Sequence, residues 1–281
     1  MVDAVLTAYR AAEPDVAVEV FRAPTGELTA RVAAEQRSGG IRADLLLLSD
    51  PLSMQQYAAQ GLLREWRPPD ASVVAAEAHT DTFWGVSTID VVVVHRPGGG
   101  LDSWSDLTNP RYRDRVALPN PGFAGSALGA LGFFALADGY GLDFYRQLEE
   151  NGAVQVKSPT EVITGVAEGR FDAGMALDFS ARSVIAQGAP VEISAPEPGA
   201  VRIYAPVAII DSTTNLAAAE SLAGFLFTRE AQQELSRLGR NPVRDDVTPP
   251  SRPERVVTPD WPEVFDRQQE LLEDYRDIFG G

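Results

Sequence analysis

Phe83-Trp84-Gly85-Val86-Ser87-Thr88-Ile89-Asp90-Val91-Val92-Val93-Val94-His95-Arg96 is the stretch of this chain that decides its fold. Valine, isoleucine, threonine and aromatic side chains dominate it, so it reads as one long strand that Gly98-Gly99-Gly100 terminates. A second long β-prone stretch covers residues 201–210. Both are flanked on either side by short alternating strand and helix signals. Two long strands set among α/β units predict two lobes joined by β crossovers.

Outward from these strands the pattern is regular. Residues 2–12 place Val5, Ala8, Tyr9 and Ala12 at helical spacing, and Pro14 ends them. Residues 16–21 read as a strand, a helix follows up to Ser38-Gly39-Gly40, and residues 43–49 form an apolar strand of the kind covered on both faces. After a helix over 51–60 and the Pro68-Pro69 loop comes the decisive strand. Beyond it, strands at 116–118, 154–156, 173–177 and 191–193 alternate with helices at 127–137, 160–168 and 179–187. Parallel pairing is expected of such an α/β plan. Helices at 217–227 and 231–238 come next, then an irregular Pro-rich strap over 242–262 and an amphipathic helix over 261–279.

The formal net charge of −16 repels nucleic acid and anionic membranes. No apolar run approaches the roughly 20 residues that span a bilayer. The absence of cysteine removes disulfides, thiolate metal sites and cysteine nucleophiles. Met1-Val2-Asp3-Ala4-Val5-Leu6 is an amphipathic helical start without a basic region, so an exported protein with this sequence would begin after its export signal. His79 and His95 have neither metal-ligand spacing nor a neighbouring nucleophile turn, and no phosphate-loop motif is present. An enzyme is not expected, nor a cofactor or resident metal.

Three strand-to-helix turns stand out, because amides at a helix start are unpaired and the helix dipole favours an anion there. They are Thr25-Gly26-Glu27, Ser49-Asp50-Pro51 and Ala124-Gly125-Ser126. The alternative is that Thr25, Ser49 or Asp50, and Ser126 simply cap their helices. Ser158-Pro159-Thr160-Glu161 is a plain capping box.

Several blocks in order resemble the family 1 extracellular solute-binding proteins of ABC importers, in the branch that takes ferric iron, phosphonates or sugar phosphates. They include Thr25-Gly26-Glu27-Leu28, Ala43-Asp44-Leu45, Phe83-Trp84-Gly85-Val86-Ser87, Trp104-Ser105-Asp106-Leu107, Gly188-Ala189-Pro190-Val191 and Asn241-Pro242-Val243-Arg244. The resemblance implies an α/β, two-lobed type II periplasmic-binding fold with two β crossovers. Lobe one would hold residues 1–88 and 208–281 and lobe two residues 89–207, with the final helix packed on lobe one. It also implies a small-molecule ligand, an ABC permease as partner, a monomer, and an extracytoplasmic location in the periplasm or at the cell surface, where a removed N-terminal segment can carry a lipid anchor.

Family members begin with a strand before the first helix, whereas this chain starts inside that helix. Iron-binding members carry adjacent tyrosines where this chain has Asp178-Phe179-Ser180, which favours a phosphonate or phosphate ester over Fe(III). Asp178 would then meet a cationic or hydroxyl group of that ligand. The Thr25-Gly26 and Ala124-Gly125-Ser126 turns are expected to face each other across the cleft.

Overall fold

A computed structural model describes residues 2–250 and 253–280. The first elements are α1 (Val2–Ala12), α2 (Thr25–Arg37), β1 (Leu45–Leu47), α3 (Pro51–Ala59) and β2 (Phe83–His95). They are followed by β3 (Val116–Pro119), α4 (Gly125–Leu136), α5 (Gly141–Glu150), β4 (Val154–Val156), α6 (Pro159–Ala167), β5 (Ala173–Leu177) and α7 (Asp178–Ile185). The chain continues with β6 (Glu192–Ser194), β7 (Ala200–Ile209), α8 (Leu216–Phe225) and α9 (Arg229–Arg237). It closes with β8 (Asn241–Pro242), β9 (Val256–Val257), α10 (Trp261–Asp266) and α11 (Gln268–Phe279).

The chain divides into two compact units, one of Met1–Thr88 with Tyr204–Arg252 and the other of Ile89–Ile203 with Pro253–Gly281. In the first unit β1 runs antiparallel to the end of β7, Leu45 opposite Ile209 and Leu47 opposite Val207, and β8 pairs with Ser87 and Thr88 of β2. Val5 and Tyr9 of α1 pack with Phe225, Ala231 and Leu235 of α8 and α9. In the second unit β2 lies between β6 and β5, both antiparallel to it, and β5, β3 and β4 follow in parallel. Its core joins Val94 and Ala117 of the sheet to Val162, Ile163 and Val166 of α6.

Four expectations are corrected. Residues 16–21 form no strand: Val16 and Val18 alternate inward onto the α1 cluster, but no neighbouring strand supplies ladder partners, and Val20 and Phe21 stay exposed. The sheet of the second unit is mixed, because β2 is antiparallel to its neighbours. The final helix is broken at Arg267 into α10 and α11, and Asp260 caps α10 by accepting from the Glu263 N–H. Lastly, those two helices belong to the second unit and not to lobe one.

The reason for the last placement lies in α4. A Cβ at Gly132 would run into Val264 of α10, and one at Gly129 into Ile203 of β7. Glycine at both positions lets α10 and the start of β7 lie directly against α4. Tyr275 of α11 then meets Tyr145 of α5 edge to face, ring centroids 5.3 Å apart. Gly132→Leu should therefore overpack this seam, cost about 1–3 kcal/mol and lower the thermal midpoint measurably. An unchanged melting curve would mean that α10 does not dock on α4.

Candidate functional site

In the first unit, α2 and α3 both start beside the exit of β1. Pro24 occupies the N-cap position of α2 and gives it no side-chain cap, so the Thr25 hydroxyl is left to pair with the Ser49 hydroxyl at 3.1 Å. Thr25, Gly26 and Ser49 are half-buried, while Glu27 is exposed. Thr25 is thus not a cap. Asp50 is one: its Oδ1 accepts the Ser53 N–H at 2.7 Å, with Pro51 in the first turn of α3. The other oxygen of Asp50, Oδ2, has no hydrogen-bond partner although the residue is fully buried.

Burial pushes the Asp50 carboxyl above the usual carboxylate range, against the lowering effect of the Ser53 hydrogen bonds. Two phenols share this environment. Burial raises Tyr57 and Tyr204, and the Asp50 charge raises both further, so each phenol lies close enough to Asp50 to feel its charge. Sequence reading missed Tyr57 and Tyr204, since no motif marks a phenol that only the fold brings to a carboxylate. It also missed Arg240, whose guanidinium is buried and pushed down to about 10 by desolvation.

In the second unit, Asn120 organises the start of α4. Its backbone carbonyl accepts the N–H groups of Phe123 and Ala124, and its side-chain oxygen accepts the Gly122 N–H at 2.8 Å. Ala124 is the N-cap residue and supplies no side-chain cap. Gly125 and Ser126 follow, both buried, and the Ser126 hydroxyl caps nothing. This helix start thus keeps amides pointed at whatever approaches it. Asp178 begins α7 and is almost wholly buried, but it is ion-paired with Arg182, Nη2 to Oδ2 at 2.8 Å. Burial nevertheless raises its carboxyl, with the Arg182 hydrogen bond opposing. His95 bridges Ser194 and the Arg96 carbonyl as a strand-end residue.

A two-unit, mixed α/β chain with bare helix starts at the carboxyl ends of its strands has the type II periplasmic-binding fold. The similar solved structures cover nearly all of it. Iron-bound HitA from Pseudomonas aeruginosa matches with a TM-score of 0.83 at 18% identity, over 98% of this chain and 94% of that one. The periplasmic binding protein AfuA from Actinobacillus pleuropneumoniae, with fructose-6-phosphate bound, matches with 0.85 at 18% identity, over 99% and 94%. The ferric binding protein from Campylobacter jejuni matches with 0.84 at 14% identity, over 98% and 95%.

Residues 1–241 match the family model for bacterial extracellular solute-binding proteins, and the chain belongs to that family. It is a family of solute binders rather than enzymes. A sulfate-binding protein from Synechococcus elongatus is 26% identical over 227 residues, 75% of this chain and 61% of the relative. The chain thus spans less than two thirds of that relative's length. Among the described residues no helix is long and apolar enough to cross a membrane.

The raised carboxyl of Asp50 fixes the sign of a pH effect on stability. The folded state holds this proton to higher pH than the unfolded chain. Its stabilisation is therefore full below the ordinary carboxyl range and lost as pH rises through the raised folded value. Asp50→Asn keeps an oxygen to cap α3 and carries no charge. It should melt a few degrees above wild type at neutral pH, and the two curves should converge below about pH 4. A variant less stable than wild type at every pH would refute this account of Asp50.

Proposed function

We propose that this chain captures ferric iron outside the cytoplasm, in the periplasm or at the cell surface, and hands it to the permease of an ABC importer. The observation that carries the reading is the buried, unused Oδ2 of Asp50 beside Tyr57 and Tyr204. Carboxylate and phenolate oxygens are hard donors suited to a small, highly charged cation. The likeness to iron-bound HitA and to the Campylobacter ferric binding protein supports the same solute. The lack of a tyrosine pair at Phe179-Ser180 speaks for a different donor set, one in which the phenols come from Tyr57 and Tyr204.

Iron must displace protons from these groups, so uptake should strengthen as pH rises through the raised carboxyl of Asp50. Loading from ferric nitrilotriacetate should give one iron per chain and a visible phenolate-to-iron absorption band. Asp50→Asn should abolish both, and Tyr57→Phe or Tyr204→Phe should weaken or shift the band. Absence of stoichiometric iron in wild type would overturn the reading.

A second reading is an oxyanion held at the start of α4, favoured by the uncapped Ala124-Gly125-Ser126 turn and by the name of the sulfate-binding relative. Helix-start amides can receive such a group without a basic side chain. A hydroxyl bond to a charged ligand is worth about 1.5–3 kcal/mol, so Ser126→Ala should weaken oxyanion binding by roughly ten- to hundred-fold. Calorimetry with sulfate, phosphate esters and phosphonates checks this, and affinities unaffected by the substitution would refute it. Thr25, Gly26, Glu27 and Ser49 are proposed as ligand contacts of the first unit under either reading.

A further inference from the structure

We propose that the ammonium group of Lys157 binds the oxyanion received at the start of α4, so that this subsite takes a compact tetrahedral dianion, free or as the terminal group of an ester. This inference rests on the oxyanion reading above and names the residue that supplies its charge.

Lys157 is the only lysine in 281 residues. It follows β4 directly, and the parallel pairing of β3 with β4 sets Pro119 opposite Val156. The Asn120 N–H carries this ladder one step further by donating to the Val156 carbonyl at 2.8 Å, so Lys157 lies beside Asn120. Side chains alternate along a strand. Val156 packs against the α6 core, whereas Gln155 faces the other way and its Oε1 accepts from Asn120 Nδ2 at 2.6 Å. By the same period Lys157 shares the face of Gln155.

Asn120 also folds the turn before α4. Its carbonyl accepts the Phe123 and Ala124 N–H groups at 3.0 and 2.9 Å, which brings the first turn of α4 back over it. The next two amides, of Gly125 and Ser126, have no acceptor among the described residues. The Ser126 hydroxyl, on a residue only 5% exposed, has no partner among them either. Pro121 and Ser126 line one small cavity with Pro159, in the first turn of α6, so the two helix starts are neighbours. Paired strands stand about 4.8 Å apart and a lysine stem extends about 6 Å, enough for the ammonium to meet a group seated on the Gly125 and Ser126 amides.

No carboxylate takes up this charge. Lys157 is exposed and, among the described residues, its ammonium forms no ion pair. Glu161 is close, but it serves the start of α6, its Oε1 accepting the Ser158 hydroxyl at 3.3 Å and its Oε2 the Lys157 N–H at 3.4 Å. A cation ahead of a helix start is repelled by the dipole, so Lys157 does not stabilise α6. Two helix starts and an ammonium instead pool positive potential at one place in a chain of net charge −16, which suits a doubly charged anion.

Because Lys157 is the only lysine, amine chemistry addresses it selectively. Acetylation removes its charge and reductive dimethylation keeps it, while the α-amine is modified alike by both. Calorimetry with inorganic sulfate, inorganic phosphate and glycerol 3-phosphate reads the effect. Acetylation and Lys157→Gln should weaken binding about tenfold or more, and dimethylation and Lys157→Arg should change it by less than about threefold. Melting curves should be unchanged throughout, since the side chain is exposed. A preference for the ester identifies a terminal group and the reverse a free anion, with the loss on acetylation expected in either case. Equal losses in the charged and uncharged derivatives would show that charge is not what Lys157 supplies and overturn the proposal. Binding within about twofold of wild type in Lys157→Gln, with a loss in Ser126→Ala, also overturns it and leaves the oxyanion reading standing. Binding of none of the three probes by wild type overturns both.

Discussion

Every residue of β2 except Thr88 is buried, and that single constraint organises much of the molecule. A strand covered on both faces must be apolar along its whole length, which is why Ile89 and Val91 to Val94 run almost without a polar interruption. The two ionisable interruptions have partners. Asp90 is tied to Arg202, and His95 to Ser194. The first residues of β2 belong to one compact unit and the remainder to the other, so the same strand anchors the framework of each.

The helix starts then divide by how they satisfy their amides. α3, α6 and α9 are closed by Asp50, Ser158 and Thr228, whose side chains accept from the first turn. α2 and α4 have no such cap, and neither do α5, α7, α8 and α11. A side-chain cap stabilises a helix by about 1 kcal/mol, and a start without one leaves its first amides to other partners. α4 recovers its support elsewhere: its glycines let α10 and β7 pack against its body, and Asn120 pins the turn before it. The result is a rigid helix with a bare N-terminus.

The charge pattern has the same logic on a smaller scale. Arg115 is paired with Asp172 at the surface, where the pair contributes little. Asp90 and Asp178 are buried, where an unpaired carboxylate would be costly, and each is held by an arginine that stays partly exposed. Asp50 differs, because only hydrogen bonds from its own helix start oppose its desolvation, and its Oδ2 accepts none.

Much of this was legible in the sequence. The two long strands, the α/β alternation between them, β5 to the residue, and the turns at Thr25, Asp50 and Ser126 all follow from local side-chain chemistry, since apolar period and capping residues act over a few positions. The reading failed where a partner was required. Residues 16–21 have strand composition but no strand beside them, and the apolar face of α10 and α11 does not itself say which unit it will cover. Only the tertiary structure decided that Thr25 pairs with Ser49, that Tyr57 and Tyr204 approach Asp50, and that Arg202 reaches Asp90 across 112 positions of chain. The sequence carries propensity and period, which are local; which oxygen meets which cation depends on long-range packing, and no local pattern encodes that.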